Sequence, residues 1–292
     1  MASTSDRSEP AEGASSPSPP ADLPGVTVTA AHGVAVILID SPPINLLTPD
    51  LFRSLRTAVE WADGAEAIKA VVLRSANPEF FIAHYDVNAI LAVDVSGPAQ
   101  RPDKPHAIHR LGELLGTTPK ATICEIAGRV GGGGAELSAG ADMRFGAVGR
   151  TVLCQMEVPL GILPGGGGCR RLPELVGRGR ALEIVLGGDD VDAVTLERWG
   201  WLNRALAADE LGPFVDRLAA RIASFPAEAI AQAKAATVYG SDPDDGLVEE
   251  AYRVDLTLRG PEARPRMEAF LERGGQTRSG ELRVGALGAE LG

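Results

Sequence analysis

The chain has 292 residues, 45% of them hydrophobic, with a formal net charge of −11. That composition supplies a sizeable core and excludes global disorder, and the lack of a basic stripe argues against nucleic-acid binding. No apolar run approaches the ~20 residues a membrane helix needs, so neither nucleic acid nor membrane is expected as a partner.

Residues 1–24 are rich in Ser, Pro and Ala and lack a basic segment followed by an apolar one. They read as a disordered tail rather than a signal peptide. GVTVTAAHGVAVILID then predicts a β-hairpin. Thr48 is placed to cap a helix over DLFRSLRTAVEWADG, with Pro49 at its first position. AIKAVVLRS reads as a buried strand, ANPEFFIAHYD as the loop leaving it, and DVNAILAV as helix-like. AIHRLGELLGTT has helical spacing, and ATICEIAG is a second buried strand. AELSAGAD predicts a helix, MRFGAVG and TVLCQ predict strands, and from about residue 178 only helices are expected. Strands and helices alternating first, then helices alone, indicate an α/β core with a helical C-terminal region. Cys124, Cys154 and Cys169 show neither metal spacing nor a disulfide framework; they are expected in the core of a protein from a reducing, cytoplasmic compartment.

Four consecutive glycines, Gly131–Gly134, stand between the ATICEIAG strand and the AELSAGAD helix. Each costs about 0.5–1 kcal/mol against alanine inside an element, so the run calls for a reason beyond flexibility. A dinucleotide motif fails because Glu136 stands where its last glycine should be, and no GK[ST] follows for a P-loop. A strand, a glycine turn and a helix starting near Gly134 aim free N–H groups and a helix dipole at one point, which suits a developing oxyanion.

At these residues the sequence resembles the enoyl-CoA hydratase/isomerase, or crotonase, superfamily, from about residue 26 to 273. The matching stretches are IAGRVGGGGAELSAGAD, LCQMEVPLGILPGGGGCRRL and FFIAHYDV. The resemblance implies a crotonase-like ββα spiral core over 25–200, a helical oligomerisation region over 201–273 and a flexible tail over 274–292. It makes Glu136 and Glu157 the catalytic pair and gives the oxyanion N–H groups to Ala83 and Gly133. Ala83, His84, Tyr85, Asp86, Gly132 and Gly133 are the implied substrate contacts. The substrate would be an acyl-CoA thioester, with coenzyme A arriving as part of it and no metal or redox cofactor needed. A homotrimer or homohexamer is implied.

Hydration is the expected reaction, because both carboxylates are present. Isomerisation, dehydration, thioester hydrolysis and a non-catalytic binding role stay open. Taken singly, Glu136 reads as a first-turn acid worth about 0.3–1 kcal/mol to a helix, Glu157 as a loop carboxylate and Asp86 as a helix cap. Gly165–Gly168 read as a tight turn, and Arg170 and Arg171 as surface or packing groups. The chain departs from the family pattern at His84 and Tyr85, where Gly and Ala are usual, and at Met156, where QME replaces QPE. The two bulky side chains are expected to shape the substrate channel more than to transfer protons.

Overall fold

The computed structural model describes residues 18–238, 248, 251–252, 254–256, 258–261 and 263–291. Most of the expected N-terminal tail, and much of the stretch 243–260 within the helices expected after residue 178, lie outside the described residues. The hairpin forms as expected: β1 (Val26–Ala31) pairs antiparallel with β2 (Val34–Ile39). Thr48 caps α1 (Pro49–Gly64), its side chain accepting from the Leu51 N–H, and Pro49 occupies the first turn.

β2, β3 (Ala70–Ser75), β5 (Ala121–Ile126), β7 (Met143–Ala147) and β10 (Arg204–Leu206) run parallel, giving a six-stranded sheet in the order β1-β2-β3-β5-β7-β10. Buried strands of this kind are apolar on both faces. On β3, Val71 and Leu73 enter the main core with α1, while Ala70 and Val72 face Leu211, Val215 and Ala219 of α8 (Ala208–Ala223). A second sheet joins β4 (Phe80–Ile82), β6 (Arg129–Gly131), β8 (Val152–Cys154) and β9 (Val191–Asp192). The mixed α/β core with its helical C-terminal part agrees with the expected fold class.

Several expectations need correction. The stretch ANPEFFIAHYD is not all loop, because β4 lies within it. The region after residue 178 is not purely helical: β9 pairs with β8 and β10 with β7. Cys124 and Cys154 are buried, but Cys169 is exposed. Burial pushes the Cys124 thiol up to about 12, so it is an inert core group.

The last stretch, expected to trail as a flexible tail, is folded. After α10 (Ala263–Glu272), the chain forms α11 (Arg278–Glu281) and α12 (Val284–Ala289). Val284 and Leu287 are buried with Met267 and Phe270 of α10 and with Met156, Leu160 and Ile162. Two short helices suffice here because their few apolar side chains complete a cluster built by distant parts of the chain.

Asn45 ties the two sheets together. Its side-chain amide donates to the carbonyls of Phe80 (3.2 Å) and Phe81 (3.1 Å) on β4 and to Ser75 Oγ (2.7 Å) on β3, and its oxygen accepts from Ser41 N–H. It is fully buried, and its backbone φ is 50°. Asn45→Ala leaves buried carbonyls with fewer donors, which costs about 1–3 kcal/mol for each group uncovered. Urea unfolding should show a loss of about 2–3 kcal/mol; an unchanged midpoint would remove Asn45 from this role.

Candidate active site

The glycine run is a site of close backbone approach. α4 spans Gly132–Gly140 and is buried along its whole length, starting two residues before the expected Gly134. A Cβ on Gly134 would lie 2.7 Å from Ile82 Cβ, closer than packed atoms allow. Gly132 has φ +42°, and a Cβ there would meet both Glu157 Oε1 and His84 Cβ at 3.0 Å. The helix start is thereby pressed against β4 and the loop that leaves it.

That loop, Ala83–Asp86, is held by pairing with Leu47. The Leu47 N–H donates to the His84 carbonyl (2.8 Å), and the Asp86 N–H donates to the Leu47 carbonyl (3.1 Å). Tyr85 lies between those two bonds, beside Gly133: a Cβ on Gly133 would be 3.2 Å from Tyr85 Cβ and 3.5 Å from Tyr85 N. Neither the Tyr85 nor the Gly133 amide has an acceptor among the described residues, and Gly133 is in the first turn of α4, where helical N–H groups have no partner within the helix.

Ala83 differs. Its N–H donates to the Ile44 carbonyl at 3.3 Å, and it does not line the cavity described below. The structure therefore brings Gly133 and Tyr85 together, not Gly133 and Ala83.

A cavity of about 390 Å³ opens beside these amides. Tyr85, Gly133, Glu136 and Glu157 line it, with a largely apolar wall that includes Phe52, Ile90, Ile108, Met156 and Leu258. Glu136 projects from α4 and is 3% exposed; its Oε1 accepts from the N–H groups of Gly166 (2.7 Å) and Gly168 (2.9 Å). The second glycine run is thus more than a tight turn, since its backbone orients the carboxylate. Glu157, 8% exposed, precedes the 3-10 turn Val158–Leu160 and accepts from Gln155 Nε2 at 3.2 Å. A single point, the Cβ position of Gly168, lies 3.0 Å from Glu136 Oε1 and 3.2 Å from Gln155 Nε2, so Gln155 spans the space between the two carboxylates. Met156, in place of the family proline, is buried in the cavity wall.

The remaining implied contacts separate. Asp86 caps α2 (Val87–Leu91) by accepting from the Asn88 N–H, and it does not line the cavity. Burial, reinforced by Asp86, pushes the Tyr85 phenol up, so it stays protonated. His84 borders the cavity, but Nδ1 contacts the Tyr85 carbonyl (2.8 Å) and Nε2 contacts Glu281 Oε1 (2.8 Å). Arg171 is a packing group, bonding the Gly166 carbonyl from α5 (Gly168–Val176).

Sequence reasoning missed His109 on α3 (Ala107–Thr117). Its Nδ1 accepts from the His106 N–H at 3.0 Å, and burial pushes the imidazole down, so a neutral ring stands near Glu136. Only its place on the buried face of an amphipathic helix signalled it.

The profile of the enoyl-CoA hydratase/isomerase family matches residues 29–274. The chain belongs to that family. A crystal structure from Streptomyces avermitilis, assigned as a candidate enoyl-CoA hydratase, is 37% identical and superposes with a TM-score of 0.83, covering 92% of this chain and 99% of that one. A crotonyl-CoA hydratase from Syntrophomonas wolfei is 30% identical over 82% of this chain and 92% of its own length. A short-chain-enoyl-CoA hydratase from Clostridium acetobutylicum is 27% identical, covering 86% and 96% respectively.

Gly132→Ala tests the close packing at the helix start. A left-handed alanine costs about 1–2 kcal/mol, and the contacts with Glu157 and His84 add to that, so chemical denaturation should show a loss of about 1–3 kcal/mol. Gly97→Ala, where a Cβ meets nothing within 4 Å, should stay within about 0.5 kcal/mol. Equal midpoints for the two variants would contradict the packing described.

Proposed function

We propose that the chain is an enoyl-CoA hydratase, adding water reversibly across the 2,3 double bond of an acyl-CoA thioester. The observation that carries this reading is the convergence of two amides without acceptors, on Tyr85 and Gly133, with two buried carboxylates on one largely apolar cavity.

Attack of water on the β-carbon pushes the double-bond electrons toward the thioester, and the carbonyl oxygen becomes an enolate oxyanion. The Tyr85 and Gly133 N–H groups stabilise that oxygen; one such donor is worth about 10²–10³ in rate. Of Glu136 and Glu157, one takes the proton from the attacking water and the other delivers a proton to the α-carbon as the enolate collapses. The product is the 3-hydroxyacyl thioester, and after exchange with solvent both carboxylates return to their starting protonation. The Gly166 and Gly168 amides fix Glu136, and Gln155 fixes Glu157, so neither carboxylate must reorganise during the step. The apolar wall excludes bulk water and accepts the acyl chain. Coenzyme A belongs to the substrate, and the proton traffic runs entirely on the chain's own groups. The names of the two hydratases above support this reading. A cytoplasmic location and a trimeric or hexameric assembly are part of the proposal.

Glu136→Gln and Glu157→Gln should each lower hydration by about 10²–10⁴ while the protein stays folded. The assay is loss of the conjugated-thioester absorbance with a panel of enoyl-CoAs of different chain length and branching. Near wild-type turnover in either variant would contradict the two-carboxylate mechanism, and dependence on only one of them would favour isomerisation.

Gly133→Pro removes one oxyanion donor and fixes φ, so a folded variant should be inactive. Retained turnover in a folded Gly133→Pro protein would contradict the oxyanion assignment.

A further inference from the structure

Residues 276–281 grip the loop that carries the Tyr85 amide. The Gln276 side chain bonds Asp86 (3.0 Å) and Asn88 (2.9 Å), Arg278 pairs with Glu79 just before β4, and Glu281 meets His84. Every one of these contacts joins partners nearly two hundred positions apart in sequence.

The His84–Glu281 contact is the buried one, with side chains 3% and 2% exposed. Its donor arithmetic is restrictive. The Tyr85 carbonyl can only accept, so Nδ1 carries a proton; with Glu281 as a carboxylate Nε2 donates as well, and the ring is an imidazolium. Glu281 Oε1 also accepts from the Gln276 N–H at 2.6 Å, so one carboxyl oxygen holds both the ring and the turn before α11. The His84 ring packs edge-on against Phe270 at 5.6 Å, an apolar wall that gives neither charge another partner.

We propose that residues 276–281 are a clasp whose charged His84–Glu281 pair positions the Tyr85 amide, making Glu281 a positioning residue for turnover although it is remote from the cavity. The proposal rests on the hydratase reading, because it assigns a purpose to the loop which that reading places on the thioester oxygen. The mechanism is mechanical: His84 Nδ1 holds the Tyr85 carbonyl, Nε2 is anchored to α11, and the peptide between them fixes the direction of the loop. Misplacement of a donor by about 1 Å can cost about 10²-fold in rate.

Charge makes the clasp pH-sensitive. The groups facing His84 are Glu281 from α11, Asp86 and Tyr85 from its own loop, Glu157 across Gly132, and Cys154 from β8 near Glu281. Burial alone would push the His84 imidazole down. The Glu281 carboxylate, aided by the Tyr85 carbonyl and Asp86, outweighs it, and the net shift is upward. A group raised in the folded state contributes stability that is complete below its unfolded value and is lost as pH rises through the folded one. The clasp is therefore closed on the acid side and loosens on the alkaline side. In Glu281→Gln the largest raising influence is gone while burial stays, opposed only by the Tyr85 carbonyl and Asp86, so the imidazole loses its proton at lower pH.

The test is Glu281→Gln in the full chain, measured in three ways. Hydration of the best enoyl-CoA should show kcat reduced by about 10²-fold with KM nearly unchanged, and the alkaline limb of the rate profile moved to lower pH. Ring-labelled histidine NMR should find His84 protonated in the wild type beyond the ordinary histidine range, and neutral there in the variant. Hydrogen exchange at the Leu47 and Asp86 amides should accelerate. Gln276→Ala, which removes one exposed and one part-buried side-chain bond without uncovering a buried charge, should lower kcat several-fold in a protein that folds normally. An unchanged kcat in Gln276→Ala, or a Glu281→Gln rate loss equal at every pH with His84 titrating as before, would overturn the clasp. If the wild type hydrates no enoyl-CoA, the hydratase reading fails, while the histidine titration and amide exchange still decide whether the clasp exists.

Discussion

Two backbone hydrogen bonds, Leu47 N–H to the His84 carbonyl and Asp86 N–H to the Leu47 carbonyl, determine how the candidate site faces. They turn residues 84 and 86 toward the loop before α1 and leave Tyr85 beside Gly133. Ala83, two residues earlier, is bonded to Ile44 and leaves the cavity. The loop before α1 is itself held by Asn45, which reaches across to β3 and β4. The direction of one amide thus depends on a buried asparagine and on a strand-like pairing with residues about forty positions away.

The glycines serve that arrangement. A side chain at Gly134 would collide with Ile82, and one at Gly132 would crowd both Glu157 and His84. Removing those side chains lets α4 begin against the loop, so its first-turn N–H groups face the same space as Tyr85. Gly166 and Gly168 play a different part, donating backbone N–H groups to Glu136. One run brings backbone to the cavity; the other brings backbone to the carboxylate.

Much of this was legible in the sequence. The hairpin, the Thr48 cap, the long buried strands and both glutamates follow from periodicity, capping chemistry and motif. What was not legible depends on distant contacts. β6, β9 and β10 are two or three residues long, too short to carry a period. The motif located the loop that borders the cavity, but an N–H direction is set by the pairing partner, and nothing in FFIAHYDV names Leu47 or Ile44. Residues 274–291 are polar and glycine-rich, and Glu281 looks like a surface acid until His84 is beside it. Likewise, His84 and Tyr85 stood out as departures without revealing that one lines the cavity beside Gly133 while the other turns both ring nitrogens to protein groups.

The central claim is that the thioester oxygen sits between the Tyr85 and Gly133 amides, and a crystal structure with a saturated acyl-CoA bound tests it directly. The expected result places that oxygen about 3 Å from both nitrogens, with the α- and β-carbons lying between Glu136 and Glu157. An oxygen turned away from Tyr85, or a Tyr85 amide bonded to a protein acceptor in the complex, would contradict it.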